Sequence, residues 1–234
     1  MSRLVDKPSN VIVLCCALLG ISLVAWAETE PQRPGQVAPY SQVHATIPVA
    51  ITYIQGDHYQ AFLTKARANQ STQVSTEVVD GVLYIDAGSS KQNDVVVIQL
   101  QAPTLEEVYL AAPSTLTSAG IRGASFVLES HSGGSINLQN IEVDDLSVHL
   151  QGPSRMQIQG TAQHQTVSVD GVASYSAQNL VSETSQVTVR GSGQINLWVE
   201  KLLDVDIFGS AKVNYQGSPW VSQRIKGSGN LFHL

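Results

Sequence analysis

Hydrophobic and polar residues alternate in short stretches that recur along the second half of the chain. From about residue 105, each repeat has small residues at a corner and apolar residues four and six positions after the corner begins, such as Ile136 and Leu138 after Ser132. Apolar residues also stand four and two positions before a corner, such as Val148 and Leu150 before Gly152. Alternation with a period of two predicts β-strands, because successive side chains of a strand point to opposite faces.

The corners return at an almost constant spacing. They begin at Ala112, Ser132, Gly152, Gly171, Gly191, Gly209 and Gly227. A period of about 20 residues with short strands and glycine-rich corners is typical of a β-solenoid, in which each rung buries its inward face against its neighbours. We therefore predict an all-β fold, a right-handed parallel β-helix with about 18–20 residues and two strands per rung, in seven rungs. A β-sandwich with evenly spaced hairpins is the alternative.

The region before the regular repeats is also rich in β-type alternation. Ile47, Val49, Ile51 and Tyr53 alternate with other residues, and Val82–Ile85 follows the turn signal Asp80-Gly81. We expect residues 40–104 to form an irregular β cap on one end of the column, and residues 105–234 to form the regular rungs. The two parts then make a single domain, residues 40–234.

The N-terminal segment has the organisation of an export signal. Arg3 and Lys7 precede an apolar run that ends in Ala25-Trp26-Ala27. A basic start, an apolar core and an A-x-A ending predict a signal peptide over residues 1–27, cleaved between Ala27 and Glu28. Residues 28–39 hold three prolines and a glycine, and are expected to form a linker. We expect no membrane span after cleavage, because the apolar run itself is short for a spanning helix.

Charge and cysteine content narrow the possible partners. The chain has a formal net charge of −6, and its two cysteines, Cys15 and Cys16, both lie in the predicted signal peptide. A mature chain without disulfides depends on its core for stability. The acidic balance argues against nucleic acid as a partner.

The sequence offers little chemistry. A polysaccharide-acting β-helix enzyme, the remote alternative, needs two or more converging carboxylates, and the acidic residues share no repeat position. The six histidines share none either, so no metal site and no cofactor are expected. We predict no catalytic residue and a protein that is not an enzyme. The histidines are His44, His58, His131, His149, His164 and His233.

The outward positions of the repeats form two kinds of predicted ladder. A polar face could hydrogen-bond a glycan or an envelope protein, although the same residues could simply stack as a solvated sheet face. Its members are Asn137, Gln157, Ser176, Gln194, Asn196 and Asn214. A charge ladder is expected where Asp170 and Arg190, and Asp206 and Arg224, occupy equivalent positions in adjacent rungs. We assign these four charges to structure rather than catalysis.

The order of these features resembles the head GIN domain family of bacterial auto-transporter adhesins. The resemblance runs from about Tyr40 to Leu234. It is carried by five features: the strand pair Val43–Phe62, the segment Val79–Ile85, the segment Val95–Leu105, the serial corners, and the close formed by Tyr215–Pro219 and Gly227–Gly229. It implies a right-handed β-helix at the cell envelope and transfers no catalytic residue.

The sequence thus predicts an exported, non-enzymatic envelope protein. It would act as an adhesin or binding module that presents a polar face, located in the periplasm, on the outer surface or outside the cell. A structural or assembly element of the envelope without a small ligand is the alternative.

Overall fold

The structure, a computed structural model, describes residues 35–64, 74–87 and 96–234. The predicted signal peptide, with Ala25, Ala27 and Glu28, lies outside the described residues, as does the first half of the predicted linker. Fourteen strands are assigned within the described ranges. They are β1 (Gln42–Ala45), β2 (Val49–Gln55), β3 (Gln60–Thr64), β4 (Val74–Val79), β5 (Val82–Ala87), β6 (Val96–Ala102), β7 (Glu107–Leu110), β8 (Ser114–Ser118), β9 (Ile121–Ser130), β10 (Gly134–Gln151), β11 (Ser154–Gly209), β12 (Lys212–Gln216), β13 (Trp220–Gly227) and β14 (Asn230–His233).

These strands form a β-solenoid of about six turns, and no helix occurs among the described residues. Strand β10 pairs in parallel with β8 and β9 on one side and with β11 on the other. The partners lie about one rung apart in sequence: Ile136 is opposite Leu116 and Met156. The predicted all-β solenoid class is therefore confirmed, and the sandwich alternative is excluded. The right-handed sense of the coil stays a prediction.

Each rung has three faces, so the expectation of two strands per rung is wrong. In β10 the buried positions are 136 and 138, then 141 and 143, then 146, 148 and 150. Alternation by two is interrupted twice by a step of three, which turns the chain without ending the strand. We call residues 134–138, 141–143 and 145–151, with their counterparts in other rungs, face 1, face 2 and face 3. Face 3 ends at the glycine corner.

Face 2 has no constant sequence signal. Its inward positions hold Ile121, Ile141 and Gly160 in successive rungs, and then Gly123, Val143 and Ala162. Residue size varies from glycine to isoleucine, and a register shift after Leu138 moves the pairing by one residue. A search for a fixed apolar type at a fixed offset therefore cannot detect this face.

The column is filled by side chains, and one polar cluster lies inside it. Gln165 is 2% exposed and stands in register with Leu146 of the preceding rung. Its amide nitrogen donates to the Tyr175 hydroxyl, and its amide oxygen accepts from Ser182 and Ser185. The Ser182 hydroxyl also lies 2.9 Å from the carbonyl oxygen of Trp198. A buried amide is tolerated here because its hydrogen-bonding groups are satisfied.

Glycine is required where successive corners touch. At Gly209 the backbone has φ of 139°, and a Cβ atom would lie 2.1 Å from the carbonyl oxygen of Gly191. The same relation holds between Gly227 and Gly209. The corners therefore stack backbone on backbone, which fixes the register of the rungs on either side.

The two ends of the column differ. At the N-terminal end, β1 and β2 already belong to the parallel stack, with β5 and β6 beyond them. The outermost strands there, β3 and β4, run antiparallel and cover β6 and β5. Within the described part of the predicted cap, β3 and β4 are thus the strands that depart from the parallel stack. In the described part of the chain, no helix is long and apolar enough to cross a membrane.

Candidate functional site

The predicted polar face lies on the outside of face 1. Asn137 is opposite Gln157, Asn196 is opposite Asn214, and Gln194 stands one column aside, opposite Lys212. Ser176 is half-buried between its inward neighbours Tyr175 and Ala177. The structure thus brings the amides together in neighbouring pairs, with Gln194 outside their column.

Several side chains of face 1 make hydrogen-bonding contacts with each other. The amide nitrogen of Asn214 donates to the amide oxygen of Asn196 at 2.8 Å, and Asn214 is only 4% exposed. At the other end of face 1, the hydroxyls of Thr117 and Thr52 lie 3.3 Å apart. These contacts leave fewer hydrogen-bonding groups free for a ligand. They agree with the alternative interpretation, in which the polar residues stack on each other as a solvated sheet face.

The four predicted ladder charges are adjacent on face 3. Arg190 Nη1 lies 3.7 Å from Asp170 Oδ1, and Arg224 Nε donates to Asp206 Oδ1 at 2.8 Å. The hydrogen bonds from Arg224 hold the pKa of Asp206 below its ordinary value. Both pairs face solvent, so each contributes little to stability.

An aromatic ladder that was not among the predicted features also lies on face 3. Its members are Tyr84, His44, Tyr109 and His131, and we keep this name for them. The centroid distance between Tyr84 and His44 is 5.5 Å, between His44 and Tyr109 5.3 Å, and between Tyr109 and His131 4.9 Å. Tyr84, His44 and Tyr109 occupy one register position in the parallel strands β5, β1 and β7. All four side chains are partly exposed.

Two carboxylates flank the aromatic ladder. Glu107 Oε1 lies 3.2 Å from His44 Nε2, and Glu129 Oε2 lies 3.2 Å from His131 Nε2. The other ring nitrogen of His131 is 3.1 Å from the amide oxygen of Gln151. The ladder thus presents partly exposed aromatic rings with hydrogen-bonding groups at their edges.

A sequence signal for this ladder existed. Three of its residues are the central residues of apolar triplets: His44 between Val43 and Ala45, Tyr84 between Leu83 and Ile85, and Tyr109 between Val108 and Leu110. Only the last of these triplets stands directly before a corner of the repeat, so the repeat predicts inward flanking residues there alone. The pairing of β5 with β1 and of β1 with β7 could not be anticipated, because the sequence between these strands shows no repeat.

Face 3 carries further aromatic and charged groups beyond the ladder. The Phe208 ring lies 5.7 Å from the Arg190 guanidinium, and Arg224 and Lys226 approach the same ring at 5.8 and 5.7 Å. His149 Nε2 is 3.7 Å from Asp170 Oδ2. Charge and π-systems therefore follow one another along this face toward its C-terminal end.

Carboxylates gather on face 2, contrary to the expectation that they lie apart. A shallow groove of about 500 Å³ is lined by Glu142, Asp144, Glu183 and Glu200. Two of these carboxylates are in ion pairs: Arg122 Nε donates to Glu142 at 2.9 Å, and Lys201 Nζ lies 2.7 Å from Glu183. The hydrogen bond from Arg122 lowers the pKa of Glu142, whereas a general acid in glycoside hydrolysis needs a raised one.

The described residues contain no group of three or more histidine, cysteine, aspartate or glutamate side chains arranged to hold a metal ion. A second groove, of about 670 Å³, lies where face 1 meets face 2, and Glu142 is its only acidic residue. The partly exposed rings of the aromatic ladder therefore remain the most distinctive chemical feature of the surface.

Solved structures of bacterial proteins share this architecture. A putative adhesin from Bacteroides fragilis NCTC 9343 superposes with a TM-score of 0.77 at 22% identity, over 85% of this chain and 94% of that one. A putative lipid binding protein from Parabacteroides distasonis ATCC 8503 has a TM-score of 0.65 at 20% identity, over 85% and 94% of the two chains. At these identities the likeness shows the fold alone. No curated protein is similar enough in sequence to count as a relative.

A family model settles the relationship. The model described as "Putative auto-transporter adhesin, head GIN domain" matches residues 39–219, more than half of the chain. The resemblance found in the sequence is thereby confirmed, and the chain belongs to the head GIN domain family, which that model describes.

Proposed function

We propose that this chain is an exported, non-enzymatic adhesin module that binds a glycan along its aromatic ladder. The observation that carries the proposal is the continuous row of four partly exposed rings with hydrogen-bonding groups at their edges. The C–H groups of a sugar ring pack on the negative face of an aromatic ring, and sugar hydroxyls donate to carboxylates and amides.

The spacing supports an extended ligand. Ring centroids are 4.9–5.5 Å apart. Tyr84, His44 and Tyr109 occupy one register position in successive parallel strands, and His131 follows the end of β9. A glycan chain that lies along the column could therefore contact several rungs at once. Each contact would be weak, but contacts on one rigid row add up through effective concentration.

Charge limits the class of glycan. Glu107 and Glu129 flank the rings, and the chain as a whole is acidic. An anionic glycan would be repelled, so a neutral or amino-sugar glycan is the expected ligand. Family membership and the predicted signal peptide support a location outside the cytoplasm, in the periplasm, on the outer surface or beyond it.

A glycan array tests the proposal with three proteins: the wild type, Tyr109→Ala and Trp198→Ala. Tyr109 is the third ring of the ladder, whereas Trp198 is an exposed aromatic residue outside the ladder, 38% accessible, and serves as the control. We expect the wild type and the control to bind the same neutral glycans, and Tyr109→Ala to lose about tenfold or more in affinity, as for removal of a central stacking residue.

Absence of glycan binding by folded wild type would favour the alternative, a structural envelope element without a small ligand. Equal binding by all three proteins would move the site away from the aromatic ladder. Thermal unfolding of each variant checks that the fold is intact, so that a loss of binding is not a loss of structure.

A further inference from the structure

The C-terminal end of the solenoid has an unpaired strand edge. Within the described residues, β13 pairs only with β11, and β14 pairs only with β12. The peptide groups that point away from these partners have no strand to bond. An open edge of this kind is a template for pairing with another extended chain.

Apolar side chains are concentrated at this edge. Trp220 is 84% exposed, and Val221 and Ile225 are each 37% exposed although they continue the inward columns of Leu203 and Ile207. In the rungs below, those columns are fully buried. Among the described residues, the last rung thus leaves part of the core exposed, and exposed aromatic and aliphatic groups of this kind mark interaction surfaces.

The opposite end is built differently. There the antiparallel strands β3 and β4 are the outermost strands, on face 1 and face 3, whereas the outermost strands at the C-terminal end continue the parallel stack. Two copies that meet through their C-terminal ends make a closed, two-fold contact, the commonest arrangement of homo-oligomers.

The sequence of β13 fits its own antiparallel copy in one register. With Gln223 opposite the Gln223 of the second copy, Val221 stands opposite Ile225 on the inward side. On the outward side, Trp220 stands opposite Lys226, a cation–π pair, and Ser222 stands opposite Arg224. A shift of two residues one way sets Arg224 against Arg224, and a shift the other way sets Ile225 against Pro219. A shift of one residue sets apolar against polar positions.

We propose that the C-terminal edge is a self-association surface, on which the β13 strands of two copies pair antiparallel about a two-fold axis at Gln223. The fit of charges and apolar groups carries the choice of occupant: no two cations stand directly opposite each other, and both inward apolar residues gain a partner. Arg224 remains paired with Asp206 of its own copy. The pairing extends the sheet and covers the exposed core.

A disulfide tests the register. In the full chain with Cys15→Ser and Cys16→Ser, Gln223→Cys places two thiols opposite each other across the axis, within the Cα distance that a disulfide allows. Ser222→Cys is the control, because its Cα atoms would be separated by about 8 Å, beyond the roughly 7 Å limit. We expect a covalent dimer from Gln223→Cys and little or none from Ser222→Cys under mild oxidation.

The mass in solution tests the association itself. Light scattering should give twice the chain mass for the wild type and for Val172→Lys, an exposed apolar residue away from the edge, 61% accessible. Ile225→Lys should give the single chain mass. A wild-type monomer at about 0.1 mM, above the Kd expected of even a small interface, would overturn the proposal. Open-ended oligomers, or equal cross-linking of Ser222→Cys and Gln223→Cys, would also overturn it. The cross-linking result tests the proposal even if Ile225→Lys fails to fold.

Discussion

At the scale of single residues, backbone contacts between corners hold the rungs in register. Gly209 and Gly227 combine positive φ angles of 139° and 129° with an approach to the preceding glycine that excludes a side chain. Other residues of the repeat vary in type, because a ladder position tolerates any side chain that suits its face. The corner positions that touch backbone do not.

Substitution of Gly209 by alanine should destabilise the protein by about 1–3 kcal/mol, because the new Cβ meets the carbonyl oxygen of Gly191 and the backbone angle disfavours a side chain. Gly123→Ala is the matched control. Its nearest neighbour would lie 3.8 Å away and its φ is not positive, so the change should stay within about 0.5 kcal/mol. Denaturant unfolding of the two variants measures both values. Equal effects would contradict the stacked-corner account.

At the scale of elements, strands on face 1 and face 3 could be predicted and face 2 could not. Val148 and Leu150 repeat as apolar residues before each corner, so period and offset are both visible. On face 2, Gly160 takes the position of Ile141 in the next rung. That rung is one residue shorter between face 1 and face 2, so the distance from the corner to the inward residue also changes. Because the size and the offset of the inward residue both change from rung to rung, face 2 leaves no fixed pattern in the sequence.

The parts of the candidate site that lie in regular rungs could also be predicted, whereas those in irregular strands could not. The adjacency of Asp206 and Arg224 could be predicted from equivalent repeat positions, because both lie in regular rungs. The meeting of Tyr84 with His44 depends on the parallel pairing of β5 with β1, across a chain segment that shows no repeat. Long-range pairing of irregular strands has no local signal, so the aromatic ladder required the structure.

Removal of the Asp206–Arg224 pair should change how the free energy of unfolding depends on pH in the acidic range. The pKa of Asp206 is lowered by the Arg224 hydrogen bonds, so the folded pKa lies below the unfolded one. The pair therefore stabilises the protein fully at pH values above the ordinary aspartate pKa of 3.8. This contribution is lost as the pH falls through the pKa of the folded state.

Thermal unfolding between about pH 7 and pH 2 checks this, and the effect is small because the pair is exposed. Asp206→Asn should lower Tm slightly at neutral pH, with the difference from the wild type vanishing in strong acid. Arg224→Gln should produce the same pH-dependent difference, since both residues belong to one pair. A difference that grows as the pH falls would refute the sign of this effect.

At the scale of the whole molecule, a rigid column presents different chemistry on each of its sides. Face 1 carries self-paired amides, face 2 carries carboxylates in ion pairs, and face 3 carries rings and alternating charges. A solenoid can be used in this way because its core is built from inward positions alone, which leaves the outward columns free to differ.

Export should leave a defined N-terminus. The motif Ala25-Trp26-Ala27 predicts cleavage before Glu28. Mass spectrometry of protein recovered from outside the cytoplasm should show a chain that begins at Glu28, and Ala27→Arg should block processing. An exported wild-type chain that retains Met1 would show that the segment is not a cleaved signal.

Side-chain NMR during a glycan titration tests the adhesin proposal most directly. A neutral glycan selected on the array is added to exported protein labelled in its aromatic and amide side chains. The account predicts that ring signals of Tyr84, His44, Tyr109 and His131 shift together with one Kd, while the side-chain amides of Asn196 and Asn214 stay in place. Shifts at these amides alone, with the ring signals unmoved, would contradict it and return the binding surface to face 1.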